Sequence, residues 1–436
     1  MIPPLRLTAR FRLIVSFVWL LALTATPAPA QNSAPTKIEF TEKLPFGKPV
    51  VDYFTKKAND PVMRLQDSIH SGKVTLKSDS NHGYLKSLLS HLDVPLSSQL
   101  LVFSKTARAP NLVSPASPRA VFFNDLVSVA WIPGARELEL TAIDPKRGTI
   151  FYTLDQPDEE ETRSPQVFER NRQCLACHAG RSSLEVPGLL LRGFQTDRAG
   201  RMLFGFSRVT HDMTYDRRWG GWFVTGSPDG LVHRGNLFGE AENEKHKQEP
   251  GFLSSLPDLK VRGDFSAWPA PSSDFVAHLV LAHQVHGINL LIRVGMEARL
   301  NRRSDAEDRL IRYLLFADEP PMTLTHLESR DCRARTYARW FEAKGKRAPN
   351  GDSLRELELT KRLFKNRLSY LVHTPLFDQL PEDARVRLLR RLWRGLTYDE
   401  PEEAFRHLEK DERARIIGIV RATKKNLPRY WLPDDE

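Results

Sequence analysis

VFFNDLVSVAWIPGARELELTAIDPKRGTIFYTL, residues 121–154, carries the strongest strand signal in the chain. β-Branched and aromatic residues gather in short runs: Val121 to Phe123, Val127 to Ile132, Glu137 to Ile143 and Thr149 to Leu154. Pro133-Gly134 and Asp144-Pro145-Lys146-Arg147-Gly148 break these runs, and the second is a good hairpin connection. This stretch predicts a β-rich centre for the front half of the protein.

Upstream, Leu85, Leu88, Leu89 and Leu92 repeat at helical spacing and stop before Pro95. Leu100 to Phe103 reads as a short strand, and residues 105–118 as a Pro/Ser/Ala-rich loop. Residues 31–60 read as an extended, weakly ordered lead-in. Downstream, strands are expected at Met202 to Val209 and Gly221 to Thr225. Another, Leu231 to His233, follows the turn Ser227-Pro228-Asp229-Gly230. After residue 270 helical patterns take over. Ser272 or Ser273 caps a helix running to about Leu300, and further helices are expected at 305–317, 331–344, 353–368, 382–396 and 410–424. Ser353 with Glu356 forms a capping box. The fold class is therefore α+β, a mixed β-rich front half followed by a largely helical C-terminal half.

The first thirty residues have a different purpose. Arg6, Arg10 and Arg12 precede the apolar run Leu13 to Leu23, and Ala28-Pro29-Ala30 closes it. These are the parts of a cleaved secretory signal, so the chain is expected to act in the periplasm. No later stretch is expected to supply the roughly 20 apolar residues of a membrane span. Cleavage removes three arginines and no acid, lowering the formal charge from +10 to +7. That charge is interleaved with acidic residues, without the concentrated arm or aromatic stripe of a nucleic-acid binder.

Three cysteines cannot build a useful disulfide framework, and two of them lie in Cys174-Leu175-Ala176-Cys177-His178. Two thiols three positions apart can add across the vinyl groups of haem, which brings the next imidazole under the iron. A redox Cys-x-x-Cys would open a helix after a strand in a βαβ unit, and half of a zinc site would need a second ligand pair. Neither context is visible in the sequence. The motif predicts one covalent haem c (iron), with thioethers at Cys174 and Cys177 and with His178 as proximal ligand. Pro187 is a candidate for the carbonyl that takes the second ring N–H of His178. Expected domains are a signal peptide at 1–30, the lead-in at 31–60, an α/β haem c-binding domain at 61–270 and a helical domain at 271–436.

A filled sixth iron position would make an electron carrier, and an open one admits a small substrate. Candidate ligands are Met202, His211, Met213, His233, His283 and His286, with His233 preferred because Arg217, Arg218, Trp219, Trp222 and Arg234 surround it in sequence. Arg192, Arg217 and Arg218 are candidates for pairing with the haem propionates, and Trp222 for packing on the ring. Asp125, Asp144, Asp155 and Asp212 are available carboxylates, each read first as a turn cap.

Several stretches carry a resemblance: Ser98 to Thr106, Pro118 to Asp125, Ala142 to Pro145 with Tyr152 to Gln156, Arg218 to Trp222, and Ala282-His283-Gln284. Together they resemble a family of exported bacterial c-type cytochrome proteins with a single Cys-x-x-Cys-His, over most of residues 80–430. The resemblance implies a periplasmic haem protein and no particular reaction. It supports Cys174, Cys177 and His178, and also favours His233 and His283.

Three readings follow. The first is electron transfer with a periplasmic redox partner protein. The second is a haem-dependent oxidoreductase, peroxidase-like or acting on a small anion. The third is a redox- or gas-sensing binding module.

Overall fold

The computed structural model describes residues 40–157 and 166–432, so the expected signal peptide and residues 31–39 lie outside the described residues. Strands β1 (Leu100–Val102), β2 (Arg119–Phe123), β3 (Val127–Trp131), β4 (Glu137–Asp144), β5 (Gly148–Asp155) and β6 (Glu169–Arg170) form one antiparallel sheet in sequence order. The β4–β5 hairpin closes at Asp144↔Gly148. Asp144 Oδ1 accepts the N–H groups of Lys146 and Arg147, both at 2.8 Å, so this carboxylate is the turn cap that its position implied. Gly148 has φ +83°, which a side chain would strain.

Period-two alternation gives the sheet two unlike faces. Ala120, Phe122, Val129, Leu138 and Leu140 are buried in the core. Arg119, Val121, Ser128, Ala130, Glu139 and Thr141 are half-buried on the other face. Cross-strand pairing aligns Val121 with Ala130, Ala130 with Glu139, Ser128 with Thr141, and Thr141 with Phe151. A separate hairpin joins β7 (Arg192–Thr196) to β8 (Met202–Arg208).

Among the described residues eleven α-helices cover much of the rest: α1 (Pro61–His70), α2 (Leu85–His91), α3 (Leu175–His178), α4 (Glu240–Gln248), α5 (Phe275–Arg299), α6 (Ala306–Leu314), α7 (His326–Arg333), α8 (Thr336–Ala343), α9 (Pro375–Asp378), α10 (Glu382–Thr397) and α11 (Lys410–Thr423). Helix α5 starts from Asp274, whose carboxylate accepts the Ala277 N–H at 3.0 Å, rather than from a serine cap. By length and composition α5 is apolar enough to cross a membrane, which the sequence reading did not anticipate. Within this fold 94% of its apolar window is buried.

The described residues from Phe40 on form one compact unit, and the expected boundary at 270/271 falls inside it. Helix α5 is the reason. Gln284 donates to the Asn124 carbonyl at the β2–β3 turn at 2.7 Å, while on the other side its Oε1 accepts from the Tyr370 hydroxyl at 2.9 Å.

Three other expectations change. Residues 40–60 are not a weakly ordered lead-in: Leu44, Phe46, Val51 and Tyr53 are buried, and the Tyr53 hydroxyl donates to the Thr149 carbonyl at 2.8 Å. Residues 331–344 break into α7 and α8, and 353–368 is not helical. There Glu358 Oε2 takes the backbone N–H groups of Thr360, Lys361 and Arg362, and Leu359 has φ +59°. Side-chain capture of backbone donors competes with the helix. Gly221 to Thr225 contributes only isolated bridges, at Trp222 and Thr225, and Leu231 to His233 forms no strand.

Candidate functional site

The cysteine pair hangs from the edge of the main sheet. Asn171 N–H donates to the Phe151 carbonyl at 2.9 Å, and the Asn171 side chain caps a 3₁₀ turn, accepting the Gln173 N–H at 3.0 Å. The turn leads into α3, the single helical turn Leu175–His178. Three-residue spacing on a helix puts Cys174 and Cys177 on one side with His178 beside them. Both cysteines are free; Cys174 is half-buried, which raises its thiol pKa, and Cys177 is exposed.

His178 Nδ1 lies 3.0 Å from the Gly188 carbonyl. A carbonyl only accepts, so the proton of the neutral ring sits on Nδ1 and Nε2 keeps a lone pair. Burial is the main cause that lowers the ring's pKa to about 4, which keeps it neutral. Phe151 meets the ring edge-on at 4.7 Å. The carbonyl that holds His178 belongs to Gly188, one residue beyond the expected Pro187, whose own carbonyl accepts the Thr149 N–H at 3.1 Å. Asn289 of α5 fixes this segment by accepting the Leu189 N–H at 2.8 Å and donating to the Leu189 carbonyl at 2.9 Å.

Cys174, Cys177 and His178 line a cavity of about 350 Å³. One wall is the half-buried face of β2–β4, with Arg119, Val121, Ser128, Ala130, Glu139 and Thr141. Leu189 to Arg192 and Trp222 form another wall, and Leu281 and Val285 of α5 add apolar surface. Of the expected site residues, Arg192 and Trp222 therefore meet the cysteine motif, and the indole N–H of Trp222 donates to the Arg192 carbonyl at 2.8 Å. Arg119 and Glu139 form an ion pair in the wall at 3.3 Å. The Nε atoms of Arg119 and Arg192 are buried without a hydrogen-bond partner, two donors in search of an acceptor. Among the described residues lining the cavity there is no second histidine and no methionine.

The other expected residues lie elsewhere. His233 is fully buried outside the cavity lining, against Trp219. Its Nδ1 accepts the Gly235 N–H at 3.0 Å, so the neutral ring carries its proton on Nε2 and offers no lone pair there. Arg217 is exposed on a 3₁₀ turn. Arg218 is buried and occupied in structure, donating to the carbonyls of His211 at 2.7 Å and Met213 at 2.9 Å. Both nitrogens of His283 are engaged, Nδ1 with His211 Nδ1 at 2.7 Å and Nε2 with the Ser369 hydroxyl at 2.6 Å. Met202, a candidate ligand, lies outside the cavity lining and is 49% exposed.

Sequence reasoning missed Arg119, Glu139, Gly188 and Asn289. The alternation of Arg119 with Val121 and of Glu139 with Thr141 was the available signal for the first two. Asn289 had none, since its partner is 100 residues away. Among the described residues no three His, Cys, Asp or Glu side chains converge as for a metal ion, so the cysteine pair has no further ligands with which to close a zinc site. No protein-family model, curated protein or solved structure matches the chain.

Proposed function

We propose that the protein is an exported mono-haem c-type redox protein that carries out small-molecule chemistry and takes its electrons from a periplasmic partner. Cys174 and Cys177 are the thioether positions, and His178 Nε2 is the proximal ligand. The donor set supports this: two free thiols on one side of a helical turn, an adjacent imidazole with its lone pair on Nε2, and two half-buried arginines whose buried Nε atoms are unpartnered in the same cavity. A bound haem would supply a one-electron couple and a metal centre for a small ligand.

The chain's own groups have separate tasks. The Gly188 carbonyl holds the His178 tautomer, and a second-ring hydrogen bond of this kind also raises ligand basicity. Arg192 and Arg119 are suited to propionate carboxylates through charge-assisted bonds. Val121, Phe151, Leu191, Leu281 and Val285 exclude water. Glu139, half-buried, pairs with Arg119 and holds its guanidinium on the polar wall.

One observation carries the choice of substrate chemistry over a closed carrier, namely the absence of a second histidine or methionine among the described lining residues. The test uses mature protein made in a host competent for cytochrome maturation. The expected result is the added mass of one haem, a c-type spectrum, and rapid carbon monoxide binding to the ferrous form. A colourless chain overturns the haem assignment. A coloured chain that fails to bind carbon monoxide overturns the substrate reading and restores the carrier.

A further inference from the structure

The β7–β8 hairpin presents an apolar surface. On β8, Met202 is 49%, Leu203 40% and Phe206 54% exposed. Other strongly exposed large apolar side chains among the described residues are scattered, as at Val50, Leu112, Val261, Leu327 and Tyr398. Isolated ones need no explanation, but three within five residues of one strand form a patch.

The rim of the patch is cationic. Arg192, Arg198, Arg201 and Arg208 belong to the hairpin. Arg217 is tied to it through its carbonyl, which lies 3.4 Å from the Ser207 hydroxyl, and Arg234 approaches at Gly205. Of these six, only Arg201 has an ion pair among the described residues, with Asp197 at 2.7 Å. The surface is also continuous with the cavity. Arg192 lines the cavity and lies 5.4 Å from the centre of the Phe206 ring, and its carbonyl holds Trp222.

We infer that this hairpin is the landing surface for an acidic redox protein that exchanges electrons with the cavity group, an inference that rests on the redox reading above. An apolar centre in a charged rim is the anatomy of a specific interface, and arginine is enriched at such sites. With Arg192 left to the propionates, the four others without acidic partners, Arg198, Arg208, Arg217 and Arg234, would be repelled from a basic protein and steer an acidic one. Position selects a redox partner, because electrons must cross a short distance and this patch adjoins the cavity wall.

The test measures reduction of the oxidised mature holoprotein by an acidic flavodoxin in its hydroquinone form, as a function of salt. R198E/R217E changes two exposed side chains without ion pairs among the described residues, and K73E/K77E makes the same charge change at exposed lysines elsewhere. The expected result is a rate lowered about tenfold or more at low salt by R198E/R217E and hardly at all by K73E/K77E. F206S should weaken flavodoxin binding at high salt, where steering is screened. Equal losses in both charge variants, or no loss in either, overturn the inference. So does release from phosphatidylglycerol vesicles by R198E/R217E with electron exchange unchanged, which would make the patch a membrane contact. A dimer in solution that F206S dissociates would assign the patch to a second copy and likewise overturn it. A colourless protein is a different failure, since it removes the haem assignment.

Discussion

Asn289→Ala tests how the proximal side is held. The side chain is 1% exposed and satisfies both backbone groups of Leu189, at 2.8 and 2.9 Å. Its removal leaves a buried N–H and a buried carbonyl without partners, each costing about 1–3 kcal/mol, so the loss should be about 2–6 kcal/mol. Gln284→Ala on the same helix is the matched control. It also loses two hydrogen bonds, to the Asn124 carbonyl at 2.7 Å and from the Tyr370 hydroxyl at 2.9 Å, and should cost a similar amount. Only Asn289 is tied to the segment whose Gly188 carbonyl holds His178. Urea unfolding followed by circular dichroism should show both losses, while the haem midpoint potential should shift in Asn289→Ala alone. Gly188→Ala should reproduce the Asn289 phenotype, because a Cβ there would sit 2.5 Å from Asn289 Oδ1 and 3.0 Å from Ser183 Cβ. The two substitutions should combine non-additively. A cost below about 1 kcal/mol for Asn289→Ala, or an equal shift of potential in Gln284→Ala, would refute the reasoning.

Other consequences are open to measurement. His233→Ala should leave the absorption spectrum unchanged, since the Nε2 of His233 carries a proton; a changed ligand-field spectrum would return it to the iron. Arg218→Ala should lower stability by about 2–4 kcal/mol through two stranded carbonyls and leave the spectrum alone. Arg192→Ala should do the reverse, with a small change in melting temperature and an altered pH dependence of the haem potential. Burial, the largest cause in both cases, lowers His278 and His373 to a pKa of about 3 in the folded state. Between pH 6.5 and about 3 the unfolded chain binds protons that the native one refuses. Stability is therefore undiminished above pH 6.5 and falls as pH drops, by up to about 1.4 kcal/mol per pH unit for each ring. Unfolding midpoints that stay flat from pH 7 to pH 4 would contradict this.

The sequence by itself determined the parts governed by local chemistry. Alternation and turn residues between 121 and 154 dictate the central meander, because period-two burial and a capped Asp144 turn require no distant partner. The helices at 275–299, 382–397 and 410–423 follow from apolar periodicity in the same way, and the spacing of the cysteine–histidine pentamer is what raises the haem proposal. Tertiary structure decided what depends on partners far apart in the chain. Gly188 rather than Pro187 meets His178 because Asn289, on a helix 100 residues away, pins Leu189. Arg218 and His233, attractive beside Trp222 in sequence, turn inward because buried carbonyls and a backbone N–H claim their polar atoms. Arg119 and Glu139 reach the cavity because strand register brings the face of β2–β4 opposite the cysteines. Nearness along a chain states nothing about which hydrogen-bonding group will claim a side chain once water has been excluded, and that competition is settled only in the folded protein.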